Sequence, residues 1–136
     1  MPMRSRALGA TAALALAVGG TTLATTTPAA AATCYDSYKI INASRTQAYI
    51  PADSWLTTTS ACSDINIRAA SYTDGRSAKI CFQRSNGTTY CQSEWTWLPA
   101  GVWKAVATNV SDGVKFKIQL KMSATGSDWF DGRVAA

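Results

Sequence analysis

The stretch Cys81-Phe82-Gln83-Arg84-Ser85-Asn86-Gly87-Thr88-Thr89-Tyr90-Cys91 sets two cysteines symmetrically about an Asn-Gly turn. Asn and Gly accept the backbone conformations that tight turns require, and the residues on either side read as short strands. Closure through the three-residue loop Ser85-Asn86-Gly87 puts Arg84 against Thr88, Phe82 against Tyr90 and Cys81 against Cys91. Direct opposition in an antiparallel pair brings β-carbons to about 4–5.5 Å, which suits a disulfide. The hairpin therefore predicts a Cys81–Cys91 bridge, and elimination leaves Cys34–Cys62 as the second. Zinc is the competing use of four cysteines. It wants close cysteine pairs or histidines, and the chain has neither a Cys-x-x-Cys nor any histidine.

An even cysteine count fits an exported protein, and the amino terminus agrees. Met1 to Arg6 carries two arginines and no acid, Ala7 to Val18 is a short apolar run, and Pro28-Ala29-Ala30-Ala31-Ala32 offers Ala-x-Ala sites ending at Ala31 or Ala32. This order is that of a secretory signal peptide over residues 1–32. Its apolar run falls short of the roughly 20 residues a membrane span needs, so no stable membrane insertion is expected after removal. The Ala/Thr-rich signal resembles those of high-GC Gram-positive bacteria in style. Removing it from the 136 residues leaves 104, a single domain at 33–136. With Arg4 and Arg6 of the 13 basic residues gone, 11 face 8 acidic ones, a net charge of +3. That is too small and diffuse to argue for nucleic acid.

Outward from the hairpin, period-two alternation recurs and helix signals are nearly absent. Val114, Phe116, Ile118, Leu120 and Met122 alternate with Lys115, Lys117, Gln119 and Lys121, an apolar face against a lysine face. Ser111-Asp112-Gly113 reads as the turn of a second hairpin with Val102 to Val110. Asp64 to Ser71 is a strand that Thr73-Asp74-Gly75 turns into Ser77 to Arg84. From Asp64 to Met122 the strands thus read as a meander. Tyr35 to Asn42, Gln47 to Ile50 and Asp128 to Val134 supply further short strands, with Thr57 to Ser60 a loop or edge. The expected fold is all-β: a small disulfide-stabilised antiparallel β-sandwich, or a partly open barrel.

Aromatic residues give the best functional lead. All 5 tryptophans lie beyond the signal, with 5 tyrosines. Trp95 and Trp97 share a strand face, and continuing the alternation from Cys91 puts them on the face of the disulfide. A tryptophan packed on a disulfide is a common core arrangement in sandwiches, so core packing is the first expectation and a binding platform the second. Ile80, Phe82 and Tyr90 take the other face of the hairpin. Lys115, Lys117 and Lys121 form a cationic row, either a solvated face that discourages edge pairing or a contact for an anionic partner. The candidate binding surface is therefore Trp95, Trp97, Trp129, Lys115, Lys117 and Lys121.

Catalysis has little to stand on. Without histidine no Ser-His-Asp or Cys-His arrangement exists, Glu94 is the one glutamate, and Asp74, Asp112 and Asp131 each precede glycine as turn aspartates do. Asp128 and Asp131 flank Trp129, although Asp131-Gly132 reads more simply as a turn. No catalytic residue, metal ligand or cofactor is assigned.

The combination of strands, a disulfide and tryptophan resembles the immunoglobulin-like sandwich, but Cys81 and Cys91 lie within one hairpin and do not join distant strands. In size and cysteine count the chain is similar to the small two-disulfide amylase and protease inhibitors of actinobacteria, and no residue is carried over from them. The expected function is that of a secreted, extracellular, non-enzymatic binding protein. A protein-interaction module comes first, as an inhibitor or accessory subunit of a secreted assembly. A carbohydrate- or cell-wall-binding domain using surface tryptophans is the alternative, and an envelope-active antimicrobial effector the third reading. The partner is thus a secreted or cell-surface protein, or a polysaccharide.

Overall fold

The computed structural model describes residues 29–44, 47–121 and 129–136, with side chains from Thr33 onward. Most of the segment read as a signal, together with Met122 and Asp128, lies outside the described residues. A helix absent from the sequence expectation, α1 (Ala29–Asp36), opens the described chain. Its four consecutive alanines are the strongest helix formers available. Ten strands follow among the described residues: β1 (Lys39–Ala43), β2 (Tyr49–Ile50), β3 (Leu56–Thr57), β4 (Ile65–Ala69), β5 (Arg76–Gln83), β6 (Thr89–Cys91), β7 (Thr96–Leu98), β8 (Trp103–Ala107), β9 (Lys115–Leu120) and β10 (Phe130–Ala135).

They form two antiparallel sheets. The first has the order β1-β10-β4-β8. The second runs β2-β9-β5-β6, with β3 also on β9 and β7 also on β5, so each outer position is shared by two short strands. One apolar core lies between the sheets. Ile41, Ala43, Ile65, Ile67, Phe130 and Val134 enter it from the first sheet. Ile50, Ala78, Ile80, Phe82, Phe116, Ile118 and Leu120 enter it from the second. The alternation in β9 is thus realised as read, and each fully buried aliphatic or aromatic side chain there stabilises the fold by about 1.5–3 kcal/mol.

The central hairpin closes with the expected register: Cys81 opposite Cys91, Phe82 opposite Tyr90 and Gln83 opposite Thr89. Arg84 N–H donates to Thr88 O at 2.8 Å, and Gly87 takes a φ of 83° in the loop. Asn86 Oδ1 accepts from Thr88 N–H at 3.0 Å, the local bond that makes asparagine a turn residue. Both disulfides pair as predicted, Cys34–Cys62 and Cys81–Cys91. The first ties α1 to the Ser60–Ser63 loop over Ala135, beside the main core. Two disulfides, with no helix among the described residues long and apolar enough to cross a membrane, are compatible with an extracellular protein.

The meander is corrected. β4 and β8 belong to the first sheet, where they pair with each other, while β5 and β9 pair in the second. Thr73-Asp74-Gly75 and Ser111-Asp112-Gly113 therefore carry the chain from one sheet to the other and do not close hairpins. Thr58 fixes the second crossing: its buried hydroxyl donates to Ser111 O at 2.7 Å and accepts from Val114 N–H at 2.9 Å. Asp131-Gly132 is likewise no turn. It lies inside β10 between β1 and β4, where a β-carbon on Gly132 would come within 2.7 Å of Arg68 O.

Candidate functional site

The outer face of the second sheet is built from residues that alternate with its core. In β5, Ile80 and Phe82 point inward, so Ser77, Lys79 and Cys81 point outward. In β9, the inward Phe116, Ile118 and Leu120 leave Lys115, Lys117 and Gln119 outside. Strand register assembles these into rows: Tyr49, Gln119 and Lys79 across β2, β9 and β5; Lys117, Cys81 and Cys91 across β9, β5 and β6; Ser77 and Trp97 across β5 and β7.

Trp95 and Trp97 do share the face of the disulfide, as read, but that face is exterior. Trp97 is 58% exposed and Trp95 36%. The expectation of core packing on the disulfide is corrected: Ile80 and Phe82 meet the buried residues of β9, while Cys81 has Lys79 and Lys117 as neighbours on the outer face and Gln119 Oε1 3.7 Å from its Sγ. Two features hold the indoles in place. The Trp97 ring lies over Gly75, where an added β-carbon would stand 2.9 Å from both Leu98 O and Trp97 Cη2. Trp95 carries the Lys79 ammonium 4.6 Å from its ring centroid. A second cation–π pair sets the Lys117 ammonium 5.0 Å from the Trp55 centroid, while the same Nζ donates to Ala52 O at 2.7 Å. Such pairs contribute about 0.5–1 kcal/mol at exposed positions, and they fix where the positive charge sits.

Of the predicted surface, Lys117, opposite Cys81, and Lys115 beyond it project from one end of this face, and Trp95 and Trp97 from its other end, beside Lys79 and Ser77. Lys121 follows β9 directly and donates its N–H to Ser77 O at 2.8 Å beside them. Trp129 does not join them. It is 57% exposed and immediately precedes β10, in the other sheet. Sequence reasoning missed Tyr49, Trp55 and Lys79. The alternation Ser77, Lys79, Cys81, Gln83 was the available signal, since polar neighbours on the cysteine face mark it as outward.

Tyr90 is half exposed at the core edge. It stacks on Phe82 with centroids 5.4 Å apart and carries the Arg84 guanidinium at 4.4 Å, so it seals the end of the core. Among the described residues no group of three metal-ligating side chains assembles, and every cysteine is in a disulfide. No protein-family model, curated protein or solved structure matches this chain.

Proposed function

We propose that the protein is exported and acts by non-covalent binding, as a protein-interaction module (an inhibitor or an accessory subunit of a secreted assembly). The outer face of the second sheet is its docking surface. The observation that carries this reading is the pair of exposed indoles, Trp95 and Trp97, held on a sheet face whose charged residues in β5 and β9 are lysines. Tryptophan is enriched among the residues that dominate protein interfaces, and a preset ring loses little freedom on docking. The partner's matching patch is apolar at its centre and acidic at its rim, because Lys79 stands over Trp95 and the exposed Lys121 adjoins Ser77, the residue opposite Trp97.

A polysaccharide is the weaker occupant. A sugar ring stacks on an open indole face, whereas Trp95 and Trp55 each already hold an ammonium. The discriminating experiment captures partners from the producer's culture fluid on the immobilised protein, alongside binding to insoluble glucan, chitin and peptidoglycan. The expected result is one protein in stoichiometric amount, released by salt, and lost with Trp97→Ala under unchanged melting. Retention on a polysaccharide that depends on Trp97, with no protein captured, overturns the proposal.

A further inference from the structure

The first sheet carries a separate cleft on its own outer face, away from the tryptophans of the second. Its volume is about 460 Å³, within the range of small-molecule sites. Its floor holds an arrangement that sheet pairing disfavours: Arg133 of β10 and Arg68 of β4 are directly opposed in register. Like charges so placed repel, and such local conflicts concentrate at functional positions. Neither charge is neutralised by a carboxylate among the described residues. The Arg68 side chain donates Nε–H to Gly101 O at 2.9 Å, and Arg133 lies 4.4 Å from the centroid of Tyr38. Both residues line the cleft.

The adjoining wall is polar in a different way. Asn42 is opposite Asp131 in the β1–β10 register. Tyr72, 78% exposed, donates its hydroxyl to Asp131 Oδ2 at 3.2 Å, and Asp131 lines the cleft beside it. The turn that presents Tyr72 is anchored: Ala70 N–H donates to Asp131 O at 2.8 Å, and Thr73 hydroxyl donates to Ala70 O at 2.8 Å. The side chains of Asn42 and Ser71 make no hydrogen bond among the described residues, and both line the same space. Two guanidiniums thus adjoin a carboxylate, an amide, a hydroxyl and an exposed phenol ring.

We infer that this cleft binds a carboxylate-bearing pyranose, the uronic acid class of sugar. Arg68 and Arg133 take the sugar carboxylate, for which the guanidinium fork is matched. Asp131 and Asn42 take adjacent ring hydroxyls, since a carboxylate accepts from them and an amide both donates and accepts. Tyr72 lies against the ring's apolar face. An inorganic anion leaves the second set unused, and a neutral hexose leaves the arginine pair unanswered.

The test is a titration of the disulfide-bonded protein by heteronuclear NMR with glucuronate, galacturonate, glucose and acetate. One of the two uronates should shift the amides of Asn42, Tyr72, Asp131 and Arg133 in a saturable way, with glucose and acetate at least about tenfold weaker. Arg133→Gln and Tyr72→Ala, both surface changes with little effect on melting, should each weaken uronate binding. For the arginine the loss should be about tenfold or more, as expected for a hydrogen bond between charged groups. Acetate as tight as the uronates would reduce the site to an anion contact, and glucose as tight would remove the arginine role. Either result, or no saturable shift with either uronate, overturns the inference. The cleft and Trp97 lie on different sheets, so this outcome is independent of partner capture.

Discussion

Gln92 completes the second sheet where β6 and β7 part, by bonding twice to Ile80. Its backbone N–H donates to Ile80 O at 2.9 Å, and its side-chain Oε1 accepts from Ile80 N–H at 2.8 Å. The remaining amide hydrogens reach the other sheet, with Nε2 donating to Val106 O at 3.0 Å. One side chain therefore replaces a missing strand carbonyl and links the two sheets. The residues after it are freed to project Trp95 outward.

Removing that side chain leaves two part-buried backbone groups without partners. Gln92→Ala should destabilise the fold by about 1–3 kcal/mol, the usual penalty for such groups. Gln92→Glu keeps the acceptor for Ile80 but loses the donor to Val106. It should be as damaging at neutral pH and recover in acid, where the protonated carboxyl donates again. Urea midpoints of the two variants across pH check both statements.

The inward and outward faces of β9 make a second test. Phe116 is 1% exposed and at the centre of the core, so Phe116→Ala should cost about 3–5 kcal/mol. Lys117→Ala, next in sequence on the outer face, removes one exposed hydrogen bond and one cation–π contact, and should cost no more than about 1 kcal/mol. Equal effects in denaturant melts would mean that the two faces are misassigned.

What the sequence made legible was local. The Cys81–Cys91 register follows from turn chemistry and a count of residues, and the β9 alternation follows from period two. Sheet membership did not follow. Asp74-Gly75 and Asp112-Gly113 mark a change of direction, but nothing within either segment says whether the next strand pairs with the last one or crosses the core. Contacts far apart in sequence decide that, such as Thr58 with Ser111 and Val114. The cleft of the first sheet was hidden for the same reason. Arg68 and Arg133 are 65 positions apart in sequence and become neighbours only through the β4–β10 pairing. The Trp95-Thr96-Trp97 face was legible as a face, while its outward direction depended on which side β9 would cover.

Gly75→Ala tests how Trp97 is held. The new methyl meets the Leu98 carbonyl, which is backbone, and the indole, which can swing away. The expected cost is about 1–3 kcal/mol, as for other overpacked positions. A changed tryptophan emission at unchanged secondary structure would report the displaced ring, and partner capture should fall with it. Unaltered emission and capture would show that the ring's position does not depend on this glycine.

Tyr72 should titrate late. Its hydrogen bond to Asp131, then desolvation and the carboxylate's charge, raise the phenol above the ordinary tyrosine range. The fold favours the neutral form. Stability from this contact is complete below the unfolded pKa of tyrosine and is lost as pH rises through the higher folded value. Ultraviolet difference titration should show a tyrosine ionising above the ordinary range. Asp131→Ala should move it down toward the ordinary tyrosine range, and Tyr72→Phe should remove it. A late tyrosine that persists in Tyr72→Phe would belong to another residue.

The two disulfides should differ in what they contribute. Cys34–Cys62 spans 28 positions and Cys81–Cys91 spans 10. Loop-closure entropy alone assigns them about 3.6 and about 2.7 kcal/mol. The difference should widen in the protein. The shorter bridge joins strands already held by the β5–β6 ladder and a tight turn, so the hairpin remains closed without it. The longer bridge joins a helix to a loop, and Cys34, Cys62 and Ala135 form a small core of their own beneath it. The double variant Cys34→Ala/Cys62→Ala should therefore lose more stability than Cys81→Ala/Cys91→Ala, measured as denaturant midpoints on oxidised protein. In the second variant the hairpin amides should keep their hydrogen-exchange protection. The opposite order would place the weak point of the fold in the central hairpin, and would show that the β5–β6 ladder depends on its disulfide to hold register.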